Sequence, residues 1–224
     1  VTAPSVVSHP APYSPEVIEA MATLVRSEAD RIDQPVTQLM ILDPMAGIGG
    51  IHDLPGRTFG VELEPEWAEQ HPDTRTADAR HLPFKDDLFH VIGVSPAYGN
   101  RMADHHDAQD GSRRVGYKFS LGRMPSDGSS TVMHYGQPYR DLHVAAWIEA
   151  TRVLVPGGLF ILNCKDFIRQ GKVMNVSEWH LVALFNLGYR LEFAATVGTP
   201  GMRFGANRDA RVDGELVIAL RAPG

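Results

Sequence analysis

Four apolar runs in the first half of the chain share one habit: each stops abruptly at a polar or small residue. The run from Leu39 to Leu42 ends at Asp43 and opens into a loop holding Ala46, Gly47, Gly49 and Gly50. A second, Thr58 to Val61, ends at Glu62; a third ends at Ala77, Asp78 and Ala79; a fourth, Phe89 to Val94, empties into Ser95, Pro96, Ala97 and Tyr98. Short runs that are apolar at successive positions predict strands covered on both faces, as in a parallel sheet. The pattern around them is helical. Ser14 is placed as an N-cap and Pro15 at the first helical position, with Val17, Met21, Leu24 and Val25 on one face. Leu142 to Val153 carries a second helical face, Pro156 to Gly158 turns the chain, and Leu159 to Leu162 makes a fifth strand. Ser177 then caps a helix ending at Gly188. Tyr189 to Val197 and Glu215 to Leu220 read as two strands that pair antiparallel.

An alternating order of this kind predicts an α/β fold with its ligand outside the carboxyl ends of the strands. Gly47 and Gly49 remove the Cβ atoms that would hold a nucleotide-like ligand off the backbone, and Gly50 is expected to let a following helix pack closely on the first strand. Many tight turns use glycine as well, so the loop gains meaning from its partners. Glu62, nineteen positions beyond Asp43, stands at the interval that suits a pair of ribose hydroxyls.

These residues resemble a known family, the S-adenosylmethionine-dependent amino-methyltransferases that act on adenine N6 or cytosine N4 in DNA. The resemblance covers most of the chain. Asp43-Pro-Met-Ala-Gly-Ile-Gly49 is similar to the family's methionine-binding loop, Val61-Glu-Leu-Glu64 to its ribose-binding segment, and Asp78-Ala79 to its adenine-binding pair. Ser95-Pro-Ala-Tyr98 resembles the catalytic tetrapeptide, written Asp, Asn or Ser, then Pro-Pro, then an aromatic residue. Ala97 stands where the family usually has its second proline, which leaves this corner without one locked φ. The resemblance implies a Rossmann-like fold: a mostly parallel seven-stranded sheet, helices on both faces and a reversed last strand. It also implies S-adenosylmethionine as cofactor, held by Tyr13, Asp43, Pro44, Ala46, Gly47, Gly49, Glu62, Leu63, Asp78, Ala79 and Ser95. Catalysis would fall to Ser95, Pro96, Ala97 and Tyr98. The implied partner is duplex DNA with a flipped base; an RNA base methylated at guanine N2 is the alternative, and a weakly catalytic cofactor-binding subunit a third.

The chemistry explains the tetrapeptide. An exocyclic amine is a poor nucleophile because its lone pair is delocalised into the ring. Ser95 Oγ and the Pro96 carbonyl each offer an acceptor for one amine N–H, stabilising charge that develops only in the transition state. Tyr98 would stack on the base, offsetting an unstacking cost of a few kcal/mol. No strong general base is required, because the proton leaves after methyl transfer.

Composition narrows the setting. The chain has 224 residues, 43% of them hydrophobic, which suits one sheet covered on both faces and a single domain spanning 1–224. Its only cysteine, Cys164, excludes an internal disulfide and fits a reducing compartment. No apolar stretch approaches the roughly 20 residues of a membrane span, and the first residues lack the pattern of a signal peptide, so a cytoplasmic protein is expected. Oligomeric state is open between monomer and homodimer.

A net charge of −6 weighs against nucleic acid as a partner, but the cations are unevenly placed. Between Gly99 and Arg140, an expected long loop, Arg101, Arg113, Arg114, Lys118, Arg123 and Arg140 alternate with Tyr117, Phe119, Tyr135 and Tyr139. Loops this long inside a domain are usually functional or disordered, and this one is the candidate target-recognition segment, with Arg101, Arg113, Arg114 and Lys118 as candidate contacts. The connection from Gly198 to Gly214 offers a second set, Arg203, Phe204 and Arg208. Asp104-His-His-Asp107 invites a metal reading, but adjacent histidines rarely converge on one ion and methyl transfer from a sulfonium needs none; no metal is expected.

Overall fold

Ile41 and Leu42 point to opposite faces of one strand, and the two layers of the molecule follow from that alternation. The structure, a computed structural model, describes residues 8–99, 116–198 and 214–224. Seven strands form its main sheet. They are β1 (Met40–Asp43), β2 (Arg57–Glu62), β3 (Thr74–Thr76), β4 (Phe89–Val94), β5 (Leu154–Cys164) and, beyond a two-stranded hairpin of β6 (Phe167–Arg169) and β7 (Lys172–Met174), β8 (Arg190–Gly198) and β9 (Gly214–Arg221). The order across the sheet is β3-β2-β1-β4-β5-β9-β8, with β1 to β5 parallel and β9 antiparallel to both of its neighbours. This is the expected Rossmann-like sheet. Its strand order reverses between β1 and β4, which opens a crevice at their carboxyl ends.

Helix α1 (Pro15–Arg31) covers one face, burying Val17, Met21 and Val25 against Ile41, Val91 and Ile161. Ser14 caps it as the sequence predicts, its Oγ accepting from the Val17 N–H at 3.3 Å. The other face carries α4 (Gln137–Val153) and α5 (Val176–Asn186), whose Tyr139, Trp147 and Leu184 pack on Leu42, Ile92, Phe160 and the buried Cys164.

Several elements differ from the sequence reading. No helix follows the glycine loop: a single 3₁₀ turn, Gly50–Asp53, leads through Pro55 and Gly56 into β2. Pro55 denies a helix its N–H and Gly56 sits at φ +132°, so the span is too short and too broken to wind. Gly50 instead meets Tyr13, whose ring would lie 2.7 Å from an added Cβ. The segment read as one long loop contains a short helix, α3 (Tyr117–Leu121), and a 3₁₀ turn, Ser130–Val132, and α4 begins at Gln137, so Arg140 is helical. Ser177 is not the cap of α5; Asn175 holds that position, and Ser177 lies inside the helix with its N–H and hydroxyl both donating to Asp166 Oδ1 at 2.9 and 2.7 Å. Strand β5 runs through the Pro156–Gly158 turn as an irregularity rather than starting after it.

Candidate functional site

A cavity of about 190 Å³ opens at the carboxyl ends of the central strands. Each strand end supplies wall residues: Pro44 and Met45 after β1, Glu62 and Leu63 at and after β2, Ala77 and Ala79 after β3, and Ser95, Pro96, Ala97 and Tyr98 after β4. The glycine-loop side and the Ser-Pro-Ala-Tyr corner therefore face one space. Asn163 on β5 and Glu215 on β9 close its far side; His9, Ala11, Pro12 and Tyr13 close the near one.

Two acids anchor this end of the cavity, Glu62 in its wall and Asp43 behind it. Asp43 is fully buried, its carboxylate accepting from the Met45 N–H at 2.8 Å and the Tyr13 hydroxyl at 2.9 Å. Burial pushes its pKa up to about 7, against those two hydrogen bonds, which favour the ionised form. Glu62 accepts from the Gly47 N–H and the Glu64 N–H, both at 2.9 Å, and burial raises it to about 7 as well. A carboxylate has about four lone-pair sites, so Glu62 keeps acceptor capacity toward the cavity. Asp43 shapes the loop from behind. Tyr13 bridges the two regions by holding Asp43, and its own proton is retained by burial beside that carboxylate.

The remaining candidate residues fall into two groups. Ala46 and Gly49 form the turn itself, with Ala46 N–H on the Val61 carbonyl and Gly49 N–H on the Ala46 carbonyl, and neither lines the cavity. Gly47, at φ +54°, presents bare backbone, but the His9 imidazole lies on it: an added Cβ would stand 3.1 Å from His9 Nε2. His9 is held edge-on by Trp67 and Tyr117, with ring centroids 4.6 and 5.5 Å away, and burial lowers its pKa to about 4. Asp78 does not line the cavity either. Its carboxylate is gripped by Arg80, with Nη2 at 2.6 Å and Nε at 3.0 Å, while Ala77 and Ala79 on either side of it do face inward.

At the Ser-Pro-Ala-Tyr corner four side chains form one hydrogen-bonded ring. Ser95 Oγ and the Tyr98 hydroxyl are 3.2 Å apart, and Tyr98 donates to Glu215 Oε2 at 3.3 Å. The Asn163 amide nitrogen donates to Ser95 Oγ at 3.1 Å and to Glu215 Oε2 at 2.7 Å. Behind the corner the Tyr139 hydroxyl donates to the Ala97 carbonyl at 2.8 Å. Asn163 and Glu215 were not singled out as site residues in the sequence, and Tyr139 was noted only among the aromatic residues of the expected long loop. Asn163 had a signal, a polar residue breaking an apolar strand, and Glu215 opens one; nothing local distinguishes Tyr139 from its aromatic neighbours.

The chain from Gly116 to Gly136 packs against this site instead of standing away from it. Tyr117, Ser129, Ser130 and Thr131 line the cavity. Arg123 fixes the segment, donating to the fully buried Glu64 at 2.7 Å and to Glu66 at 2.6 and 2.7 Å, and Ser126 adds two further bonds to Glu64. Tyr117 and Tyr139, aromatic residues of the expected long loop, are buried; Lys118, read as a candidate contact, is half-buried on α3 and does not reach the cavity. Arg101, Arg113, Arg114, Arg203, Phe204, Arg208 and the Asp104–Asp107 cluster lie outside the described residues. Among the described residues no three acids, histidines or cysteines are placed to hold a metal ion, and no helix is long and apolar enough to cross a membrane.

No protein-family model matches the sequence, and no curated protein matches it. Solved structures do resemble its fold. The [4+2]-cyclase SpnF superposes with a TM-score of 0.55 at 14% identity, over 98% of this chain and 89% of that one. The N-methyltransferase NodS from Bradyrhizobium japonicum WM9 gives 0.52 at 10% identity, over 92% and 96%. TrmN from Thermus thermophilus gives 0.51 at 17% identity, over 90% of this chain and 48% of TrmN, so the chain spans about half of that protein's length. The fold is the one that these proteins share. A cyclase and an N-methyltransferase on one fold also mean that the chemistry has to be argued from the site.

Proposed function

We propose that this chain transfers a methyl group from S-adenosylmethionine to an exocyclic amino group of a DNA base, cytosine N4 or adenine N6. The observation that carries this reading is the single cavity bounded by Pro44, Met45 and Glu62 on one side and by Ser95 to Tyr98 on the other. The donor set fits the cofactor. Glu62 offers carboxylate oxygens to a vicinal diol, Ala77 and Ala79 offer a small apolar slot for a flat ring, and Asp43 orders the Met45 N–H and the Tyr13 ring that wall the space between. The volume is smaller than the roughly 300 Å³ at which ligand pockets begin, and the His9 ring, which lines it, also lies over Gly47.

Bound there, S-adenosylmethionine supplies an electrophilic methyl group on sulfur. The protein aims the acceptor nitrogen: Ser95 Oγ and the Pro96 carbonyl accept its N–H bonds, and the Tyr98 ring forms a wall for the base. Incubation with methyl-labelled cofactor and duplex DNA, single-stranded DNA or total tRNA tests the reading, with nucleoside digestion and mass spectrometry to identify the product. N4-methylcytosine or N6-methyladenine is expected. Label in tRNA alone would move the substrate to RNA, and tight cofactor binding with no label anywhere would make the chain a non-catalytic subunit.

A further inference from the structure

The ring of Ser95, Tyr98, Asn163 and Glu215 has a direction. An ionised carboxylate only accepts hydrogen bonds, so the group 2.7 Å from Glu215 Oε2 must be the Asn163 amide nitrogen, and the Tyr98 hydroxyl must donate to the same oxygen. Asn163 spends its second amide hydrogen on Ser95 Oγ. With the Tyr98 proton committed to Glu215, the Ser95 hydroxyl is left to donate to Tyr98. Every hydroxyl proton in the ring thus points toward Glu215, and Ser95 Oγ retains one free lone pair. Asn163 is 1% exposed and lines the cavity, yet its Oδ1 is buried without a partner among the described residues, which leaves the site short of one N–H donor.

We propose that Glu215 is the terminal proton acceptor of the site, taking through Tyr98 and Ser95 the proton that the acceptor nitrogen sheds on methylation. The inference rests on the methyl-transfer reading above. The nitrogen forms its bond to the methyl carbon with its own lone pair while the carbon–sulfur pair returns to sulfur, so the nitrogen gains a positive charge and the sulfonium loses one. That nitrogen then gives a proton to Ser95 Oγ, Ser95 passes its own to Tyr98, and Tyr98 passes its own to Glu215. The product is a neutral methylated amine and Glu215 is a carboxylic acid, which returns the proton to solvent. Burial and the Glu215 charge hold the Tyr98 phenol protonated, so transfer through it is concerted and forms no phenolate.

The test compares wild type, E215Q, E215D and Y98F in steady-state methylation of nucleic acid at pH 7 in H2O and in D2O, with cofactor affinity measured by calorimetry. Wild type should show a solvent deuterium isotope effect, because the relay moves protons. E215Q should lose that effect and fall by about 100-fold with cofactor affinity within twofold; E215D should recover part of the rate. Y98F keeps the ring and breaks the relay, so it should fall with E215Q, and it carries the test if E215Q misfolds. Wild-type rates and isotope effect in E215Q, or in Y98F, would overturn the relay. A wild-type protein that methylates no nucleic acid would instead overturn the reading on which the relay stands.

Discussion

The hydroxyl of Tyr139 donates to the carbonyl of Ala97 at 2.8 Å, joining helix α4 to the Ser-Pro-Ala-Tyr corner. Since the phenol has one proton, the contact between the Tyr139 oxygen and His180 Nε2 at 2.9 Å makes His180 the donor there, and Trp147 Nε1–H completes the line by donating to His180 Nδ1 at 3.2 Å. His180 is neutral, its pKa lowered by burial and by the neighbouring His143, as this arrangement requires. A chain of three buried side chains therefore pins Ala97, one of the three residues of the corner without a locked φ. Removing the hydroxyl in Y139F leaves the Ala97 carbonyl and the buried His180 N–H without their partner, which should destabilise the fold by about 1–3 kcal/mol in denaturant unfolding. Turnover should fall by roughly tenfold to a hundredfold with cofactor affinity unchanged.

Ala97→Pro addresses the same freedom from inside the corner. The substitution keeps the carbonyl that Tyr139 holds and adds the φ restraint of the pyrrolidine ring. A97P should match or exceed wild-type turnover, and the A97P/Y139F pair should be faster than Y139F alone. A double variant no faster than Y139F would mean that Tyr139 acts on something other than the motion of this loop.

Ligand binding should depend on pH through Asp43 and Glu62. Burial raises both carboxyls to about 7 in the free protein, so each is largely protonated below that pH, whereas an acceptor for ribose hydroxyls works best ionised. The sign follows: cofactor affinity falls as pH drops below about 7, by up to about tenfold per pH unit for each group that must ionise, and binding releases protons. His9, with a pKa of about 4, and Tyr13, raised well above 10, keep one protonation state across this window. Calorimetry in two buffers of different ionisation enthalpy reads the released protons. Asp43→Ala should abolish binding while Tyr98→Ala spares it; equal loss in both would remove the distinction between a binding side and a reacting side.

Much of the fold could be read from the chain because its strands end where their chemistry changes. Phe89 to Val94 is a strand with the bounds that the apolar run has, and Ser14 caps α1 through a contact spanning three residues. Periodicity sees such local events. It did not see that Pro55 and Gly56 leave no helix after the glycine loop, nor that Tyr117 and Tyr139, in a stretch without an apolar period, are buried, Tyr117 with Trp67 and Ile48 and Tyr139 in the core cluster of the sheet. In the candidate site, the loop at Pro44 and the corner at Ser95 were visible as strand ends. Asn163 and Glu215 lie on β5 and β9, neighbours only in the folded antiparallel pair, where Asn163 sits opposite Val217. Their meeting depends on register, which composition does not encode.

His9 gives a prediction in which stability and binding move in opposite directions. Its ring fills the space over Gly47 and gains edge-on aromatic contact with Trp67, an arrangement contributing about 0.5–1.5 kcal/mol. If that space is needed by ligand, every binding event must first displace the imidazole, and the apparent affinity is reduced by the fraction of molecules in which it is in place. His9→Ala should therefore lower the unfolding free energy by about 1 kcal/mol and yet tighten cofactor binding by roughly tenfold. Weaker binding in H9A would make His9 a wall that touches the ligand.

Arg123 and Glu64 form an asymmetric pair, and the asymmetry can be measured. The Glu64 side chain is 0% exposed while that of Arg123 is 38% exposed, so the carboxylate carries nearly all of the desolvation. Arg123→Ala would leave a buried charge held only by the Ser126 N–H and hydroxyl, at 2.7 and 2.9 Å. Breaking a fully buried pair costs about 3–5 kcal/mol; solvent around Arg123 and the two Ser126 bonds bring the expected loss to about 2 kcal/mol. Glu64→Gln removes the charge together with the need for its partner, so it should be the milder change. Arg123→Lys should lie near Arg123→Ala, because a single ammonium cannot span Glu64 and Glu66 as the planar guanidinium does. The segment held by this pair supplies Tyr117 and Thr131 to the cavity, so R123A should also reduce turnover at saturating cofactor. Denaturant midpoints order the three variants. An E64Q protein as unstable as R123A would show that hydrogen-bond geometry, and not the buried charge, holds this wall in place.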